Sequence, residues 1–530
     1  MTFLPTSDTG LKSAAVRTGQ LQHAPAVGPT AFPQTQVERI IRPAPERYRN
    51  AIGKYRINRS AACVGCGTCA KVCPQGVHVK PAGYTFTLRP LDHKCVGPDC
   101  IGKPYFCVDR CPKKALTLSR NPTADTFGDP RWTSDLILST WHMAETGHAP
   151  ASRGLEYRQG ASGGGFDRIG INFPEKPAAK IDPRDIDTGL NLNRRGDNRP
   201  QVHIDIPVYG GGMSFGSVSI HTILGKARAA TAWNTFTCTG EGGYPDRLMP
   251  YDDHVITQVA TGLFGVREDT IQRVRIIEFK YAQGAKPGLG GHLLGDKNTP
   301  AVARMREAVA GNALFSPFPF HSVYSVEDHK KHVDWMKEVN PKALVSVKVS
   351  TPTDVDMVAV GSYYAGAHII HLDGSYGGTG AAPDIAKKNI AMPIEYAIPK
   401  VHKFLAAEGI RDKVTLIASG GIRTAYDVLK AVALGADGCV IGTAEMVALG
   451  CVRCACCESG RGCPRGIAST DDELMQLMTL DWATQRLINL QNAWREQVVD
   501  VLSRLGLGSI QALRGRSDFL YYMAEDEVAK

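Results

Sequence analysis

The stretch CVGCGTCAKVCP places Cys63, Cys66, Cys69 and Cys73 in a C-x2-C-x2-C-x3-C-P array. That spacing lets three thiolates grip one iron–sulfur cube while the fourth crosses to a second. The second set follows in CVGPDCIGKPYFCVDRCP, which supplies Cys95, Cys100, Cys107 and Cys111 and again ends in Cys-Pro. The crossing rule predicts one [4Fe–4S] cluster on Cys63, Cys66, Cys69 and Cys111, and another on Cys95, Cys100, Cys107 and Cys73. Structural zinc suits isolated C-x2-C pairs better than this cross-linked octet. A third array, CVRCACCESGRGCPRG, follows an apolar run ending GTAEMVALG. Its Cys451, Cys454, Cys457 and Cys463 read as a further four-thiolate set, with Cys456 spare. Only Cys238 and Cys439 lie outside these arrays, in apolar contexts. A disulfide scaffold would be shorter and more evenly stapled, so ligation is the expected use of the sulfur.

A second chemistry is carried by glycine. GGGMSFGS holds Gly212, Met213 and Ser214; GSYGGTGAAP holds Gly377, Gly378, Thr379 and Gly380; SGGI holds Ser419, Gly420 and Gly421; IGTA holds Gly442 and Thr443. A single such loop is a tight turn by default. Several at successive strand ends let backbone N–H groups approach a phosphate, and the helices that follow favour its charge. Lys348 stands toward the end of the run VSVKVS, where its charge could face the N1–C2=O edge of a flavin. Beside predicted iron–sulfur clusters, these loops point to FMN, which converts one-electron traffic into two-electron chemistry.

The elements that position these residues alternate. Candidate strands are VHIDIPV, TFTCT, RIIEFK, ALFSPF, ALVSVKV, HIIHLDG, VTLIASG and GCVIGT, with helical patterns such as TAYDVLKAVALG between most of them. Eight strands over about 250 residues are the arithmetic of an α/β fold, a (β/α)8 barrel with its chemistry at the C-terminal strand ends. The fourth strand is the weakest match, and a doubly wound sheet is the alternative. Residues 59–120 resemble a two-cluster bacterial-type ferredoxin, an α+β domain. The expected layout is an extended arm over 1–58, the ferredoxin-like domain, an irregular connection over 121–200, the barrel over 201–450, the iron–sulfur loop over 451–470, and a helical segment over 471–530.

Apolar content of 43% and charged content of 21% are ordinary for a globular protein. The formal charge of +9 reads as spread along the chain, without the long basic block of a nucleic-acid binder. It suits an anionic substrate, a flavin phosphate or an acidic redox partner. No apolar run is long enough to span a membrane, and the N-terminus lacks a signal peptide's apolar core, so a cytoplasmic location is expected.

The segments MSFGS, TCTGEGG, AQGAKPGLGG, GGTGAAP, GTAEMVALGC and CPRGIAS resemble, in order, the FMN-binding synthase domain of glutamate synthase over about residues 200–470. LGLGSIQALRGRSDFL is similar to that family's trailing segment, and the layout looks like its short archaeal-type form. The resemblance implies reduction of 2-iminoglutarate, formed from 2-oxoglutarate and ammonia, to L-glutamate by hydride from FMN. It implies that Lys280, Gln283 and Lys286 of KYAQGAK bind the substrate carboxylates. Glu241 of TGEGG would gate substrate, handle a proton or simply order its loop. It also implies a cluster beside FMN, either [3Fe–4S] on Cys451, Cys457 and Cys463 or [4Fe–4S] with Cys454 added. The family's nucleophilic N-terminal cysteine has no counterpart in Met1-Thr2, so a separate glutaminase-type subunit or free ammonia is expected. The electron donor would be ferredoxin or an NAD(P)H-oxidising subunit, within a multi-subunit complex. Leu289 and His292 in KPGLGGH replace a glutamate and a glutamine of the family pattern, which keeps an N-methylglutamate synthase-type reaction with methylamine and glutamate as the alternative. An inosinate-dehydrogenase-like barrel would need a cysteine that GGTGAAP lacks. The substrate-loop lysines argue against a pure electron-transfer scaffold.

Overall fold

The computed structural model describes residues 35–46, 52–150, 164–177, 179–317, 320–378, 380, 382–387, 389–458 and 461–523. Eight parallel strands form its centre: β1 (Val208–Gly210), β2 (Thr237–Cys238), β3 (Val255–Val259), β4 (Ile276–Lys280), β5 (Leu344–Ser350), β6 (Ile369–Asp373), β7 (Thr415–Ser419) and β8 (Gly438–Ile441). They are hydrogen-bonded in sequence order from β2 to β8, and β8 pairs with β1. The Gly210 N–H donates to Phe236 O at 2.8 Å and closes the ring between β1 and β2. The chain is a (β/α)8 barrel.

Three strand expectations are corrected. The third strand is Val255–Val259, which the sequence reading passed over because Gln258 interrupts a short apolar run. RIIEFK becomes strand four. ALFSPF lies outside the barrel, where Leu314–Phe315 pairs antiparallel with His292–Leu293 in the long excursion between β4 and β5. A short apolar run between turn residues has no periodicity that separates these cases. VHIDIPV also divides: His203–Ile204 pairs with Leu190–Asn191, and only Val208 belongs to β1.

Strand alternation sorts the side chains into layers. Ile276, Leu344, Ile369 and Ile417 face inward near the N-terminal end and pack with Leu190, Leu192, Val202 and Ile204 of the hairpin beneath. Thr415 Oγ1 donates to Leu192 O at 2.8 Å and ties that floor to β7. One step higher the inward residues turn polar: Gln258, Glu278, Ser346 and His371 are all buried. Higher again stand Lys280, Lys348, Asp373 and Ser419, with Lys348 beside Lys280 and Asp373 beside Ser419 in register.

Before the barrel, Tyr55–Arg59 pairs antiparallel with Leu116–Arg120, and the eight cysteines of the first block lie between these strands. Within 121–200, expected to be mostly irregular, helix α1 (Ser134–Thr146) forms and packs on α3 (Leu480–Leu505), which also packs on α2 (Ile220–Ala232). Residues 35–46 run as an extended arm against α3: Arg42 Nε donates to Gln485 Oε1 at 2.7 Å. The rest of the expected arm, 1–34 and 47–51, lies outside the described residues. Among the described residues no helix is long and apolar enough to cross a membrane.

Candidate active site

Lysines crowd the C-terminal mouth of the barrel. Lys280, the last residue of β4, donates to Glu241 Oε2 at 2.7 Å. Glu241 stands three residues beyond β2, and Ser316 Oγ donates to its other oxygen at 3.5 Å. Burial pushes the Glu241 carboxyl up, but the charges of Lys280, Lys286 and Lys348 outweigh it and hold the group below its ordinary value. Lys286 lies 3.4 Å from His292 Nδ1, and burial together with the nearby Lys280 charge lowers its own pKa. Gln283 sits half-buried between them in the same loop.

Lys348 is held differently. Burial alone would lower its pKa, yet Asp373 at 3.3 Å and the Glu278 carboxylate raise it above the ordinary lysine value. Asp373 accepts from Ser419 Oγ at 2.6 Å and from the Gly284 N–H at 3.0 Å. His371 bridges Ser419 Oγ at 2.8 Å and Glu278 Oε2 at 3.0 Å. Ser346 Oγ and Gln258 Nε2 donate to Glu278 at 3.0 and 2.7 Å. Burial disfavours the Glu278 carboxylate, but His371, Lys348 and Gln258 outweigh that cost and bring its pKa to about 2. The result is a satisfied polar network joining β3, β4, β5, β6 and β7 beneath the mouth.

Sequence reasoning missed Glu278, His371, Asp373, Gln258 and Ser346. The available signal in RIIEFK and HIIHLD was a polar residue, Glu278 or His371, two positions before the polar end of a run otherwise apolar.

The glycine loops converge opposite the lysines. Gly420 has φ +90°, and a Cβ there would fall 2.4 Å from Gly374 O. A Cβ on Gly378 would fall 2.3 Å from Thr443 Oγ1, so the loop after β6 reaches the helix after β8. Gly421 borders Tyr376 and the Arg131 guanidinium, which stacks 3.5 Å over the Tyr376 ring. Gly212 is pressed against Gln258 and Gly240, and the Met213 methyl lies beside Gly442. Close backbone with a cation alongside fits a flat, phosphorylated cofactor. Two expected cofactor contacts are otherwise engaged: Ser214 Oγ accepts from Arg306 Nη2 at 2.9 Å, and Ser419 Oγ belongs to the interior network. Gly377 lies near Asp373 and Ala285, Gly380 lies against Cys457, and Thr379 is outside the described residues.

The cysteines gather in three places. Cys73, Cys95, Cys100 and Cys107 line one largely apolar pocket with Val77 and Leu118, the same four that the crossing rule assigns to one cube. Burial, reinforced by the neighbouring thiols, pushes Cys95 up to about 11 and Cys107 up to about 12. Burial also raises Cys69, with Cys63 and Cys66 adding to the shift, and Cys111 packs on the same small apolar cluster as Cys69. At the barrel rim, Cys451 and Cys457 are raised by burial and by Cys463, and Cys454 adds to the shift at Cys457. Lys297 Nζ from the β4–β5 excursion donates to Cys457 O at 2.5 Å and pairs with Glu458 at 3.3 Å. Among the described residues, no three His, Cys, Asp or Glu side chains converge with metal-ligand geometry. The pocket that holds Cys73, Cys95, Cys100 and Cys107 is nonetheless thiol-rich and largely apolar, which suits iron–sulfur ligation.

A sequence profile described as the conserved region in glutamate synthase matches residues 177–508. An archaeal-type glutamate synthase [NADPH] of Thermotoga maritima is 35% identical over 480 residues, covering 86% of this chain and 92% of that protein. An archaeal glutamate synthase [NADPH] of Methanocaldococcus jannaschii is 35% identical over 496 residues, covering 88% and 94%. The glutamate synthase [NADPH] large chain of Azospirillum brasilense is 36% identical over 319 residues, covering 59% of this chain and 21% of that one.

Proposed function

The chain belongs to the glutamate synthase family, and we propose that it is a synthase subunit that reduces 2-iminoglutarate, formed from 2-oxoglutarate and ammonia, to L-glutamate. The observation that carries this reading is the cluster of Lys280, Lys286 and Lys348 around Glu241 at a barrel mouth, facing a glycine cradle. Three ammonium groups in a mostly buried site suit a dianionic keto acid.

Lys280, Lys286 and Gln283 bind the substrate carboxylates. A carboxylate arriving at Lys280 competes with Glu241 for the same Nζ and so loosens the 2.7 Å pair. Glu241 Oε1, free of Lys280, is then the atom placed to take a proton from the incoming nitrogen. Gly212, Met213, Gly377, Gly378, Thr379, Gly380, Gly420, Gly421, Gly442 and Thr443 would hold FMN, with Arg131 near its phosphate. When bound, FMN supplies the hydride, and iron–sulfur clusters on the three cysteine groups supply its electrons singly. Lys348, kept charged by Asp373 and Glu278, offers a fixed positive charge to a reduced, anionic ring. Ammonia comes from a separate glutaminase-type subunit or from solution, and the clustered thiols suit a reducing cytoplasm.

The test is anaerobic. The reduced protein is mixed with 2-oxoglutarate and ammonium while flavin absorbance and glutamate are followed. Reoxidation that requires both compounds, with one glutamate per flavin, supports the reading. Absence of reoxidation with intact FMN, while methylamine and glutamate yield N-methylglutamate and ammonia, would replace it with the redox-neutral amine-exchange reaction.

A further inference from the structure

The formal charge of +9, read from the sequence as spread along the chain, is concentrated by position. Between Lys54 and Arg120, twelve lysines and arginines stand against three aspartates, an excess equal to that of the whole chain. The remaining residues are neutral in sum. This cysteine-bearing unit is therefore the basic part of an otherwise balanced protein.

Its surface is also apolar in one place. Val64 is 61% exposed, Tyr84 50% and Phe86 54%, although the barrel offers cores large enough to bury such side chains. The Tyr84 and Phe86 rings meet edge to face at 5.7 Å. Tyr84 shares a groove with Cys66, an exposed cysteine of the first array, and with Lys71 and Lys80, while the Phe86 backbone lies against Gly65 in the Cys66 loop. Lys80 Nζ donates to Gly65 O at 2.7 Å, so its stem crosses the Cys66 loop and its charge is fixed there. An exposed aromatic patch ringed by cations is the composition of a protein-docking face. Its position over a cysteine of an electron-transfer array selects a redox protein, because transfer needs close approach.

We propose that the face around Cys66 docks an acidic one-electron carrier protein, which reduces a cluster held by the first cysteine array. The proposal rests on the iron–sulfur reading of that array. Each docking oxidises the carrier by one electron and reduces the cluster by one, with no atom transferred. Two dockings deliver the electron pair that one imine reduction consumes. The basic rim steers the carrier, and the aromatic patch holds it.

The experiment uses the full-length, anaerobically purified holoprotein and, as probe, a reduced acidic [2Fe–2S] ferredoxin. Stopped-flow mixing gives the second-order rate constant of reduction as salt is raised, for the unaltered protein and for Lys71→Glu, Lys80→Glu and Tyr84→Ser. The rate is expected to fall roughly tenfold or more with salt and with each charge reversal. Reduction by dithionite and the cluster electron paramagnetic resonance spectrum should stay unchanged. Rates indifferent to both salt and charge overturn the docking surface while leaving the clusters intact. Absence of iron from the purified protein overturns the iron–sulfur reading itself. A dimer that dissociates in Tyr84→Ser, or sedimentation with anionic vesicles lost in Lys71→Glu, assigns the face to another occupant and overturns the proposal.

Discussion

Lys280 and Lys286, the proposed carboxylate ligands, stand in different electrostatic settings. Lys280 is paired with Glu241 at 2.7 Å, whereas Lys286 lies 3.4 Å from His292 and is pushed down by burial and by Lys280. Replacing Lys280 with Met removes a charge-assisted hydrogen bond, which is worth about 1.5–3 kcal/mol. The KM for 2-oxoglutarate should rise about 10- to 100-fold by that measure. Initial-rate kinetics check it, and an unchanged KM would remove Lys280 from the carboxylate site. Lys286 gives a pH test. Because its pKa is lowered, it loses its charge at a lower pH than an ordinary lysine, so 2-oxoglutarate affinity should decline early on the alkaline side. Lys286→Arg keeps the charge and should carry that decline to higher pH in a profile of kcat/KM. Beneath them, Glu278 titrates at about 2 against an ordinary 4.5. A carboxyl depressed on folding contributes stability in full above the ordinary value and loses it as pH falls toward the folded one. Glu278→Gln should therefore flatten the acid limb of Tm against pH between these values, while lowering Tm at neutral pH because buried Lys348 loses a nearby counter-charge.

At the scale of elements, what was legible in the sequence depended on whether a strand's two faces agreed. β5 to β8 are long or apolar enough to read directly, as are the glycine loops after β6, β7 and β8. β3 failed because its inward face carries Gln258, one of the polar layer. The residues that made the strand hard to read are thus those that build the network under the mouth. Their roles were equally hidden, since Glu278 and His371 meet only when β4 and β6 are brought to either side of β5. Cysteine spacing was more informative within one short segment, for the four cysteines that the crossing rule groups, Cys73, Cys95, Cys100 and Cys107, share one pocket. The loops after β6 and β7 supply a further expectation. At Gly420, φ of +90° and the 2.4 Å approach to Gly374 O leave no room for a side chain. Gly420→Ala should cost about 1–3 kcal/mol through backbone strain. It should also weaken FMN retention, measured as flavin content after gel filtration alongside the thermal midpoint. Full flavin at an unchanged midpoint would show that the loop can shift without loss.

At the scale of the molecule, the parts are joined through Arg486, which lies wholly buried in α3. Its Nε donates to Ala448 O at 2.5 Å, Nη1 to Ala44 O at 2.9 Å and Nη2 to Trp141 O at 3.3 Å, with Glu46 3.6 Å away. One guanidinium therefore links the arm, α1 and the helix after β8, three segments distant in sequence. Ala448 stands three residues before Cys451, so this joint also anchors the loop that presents the rim cysteines. Replacing Arg486 with Met fills the volume but removes the donor to three carbonyl oxygens and the cation beside Glu46. Breaking such a buried charged contact costs about 3–5 kcal/mol. The expected outcome is a lower thermal midpoint with faster proteolysis in the arm, and, for the proposed iron–sulfur protein, a rim cluster that loses iron before the clusters of the first block. Loss of iron at equal rates from both regions would instead mean that Arg486 supports the whole fold and does not specifically brace the rim.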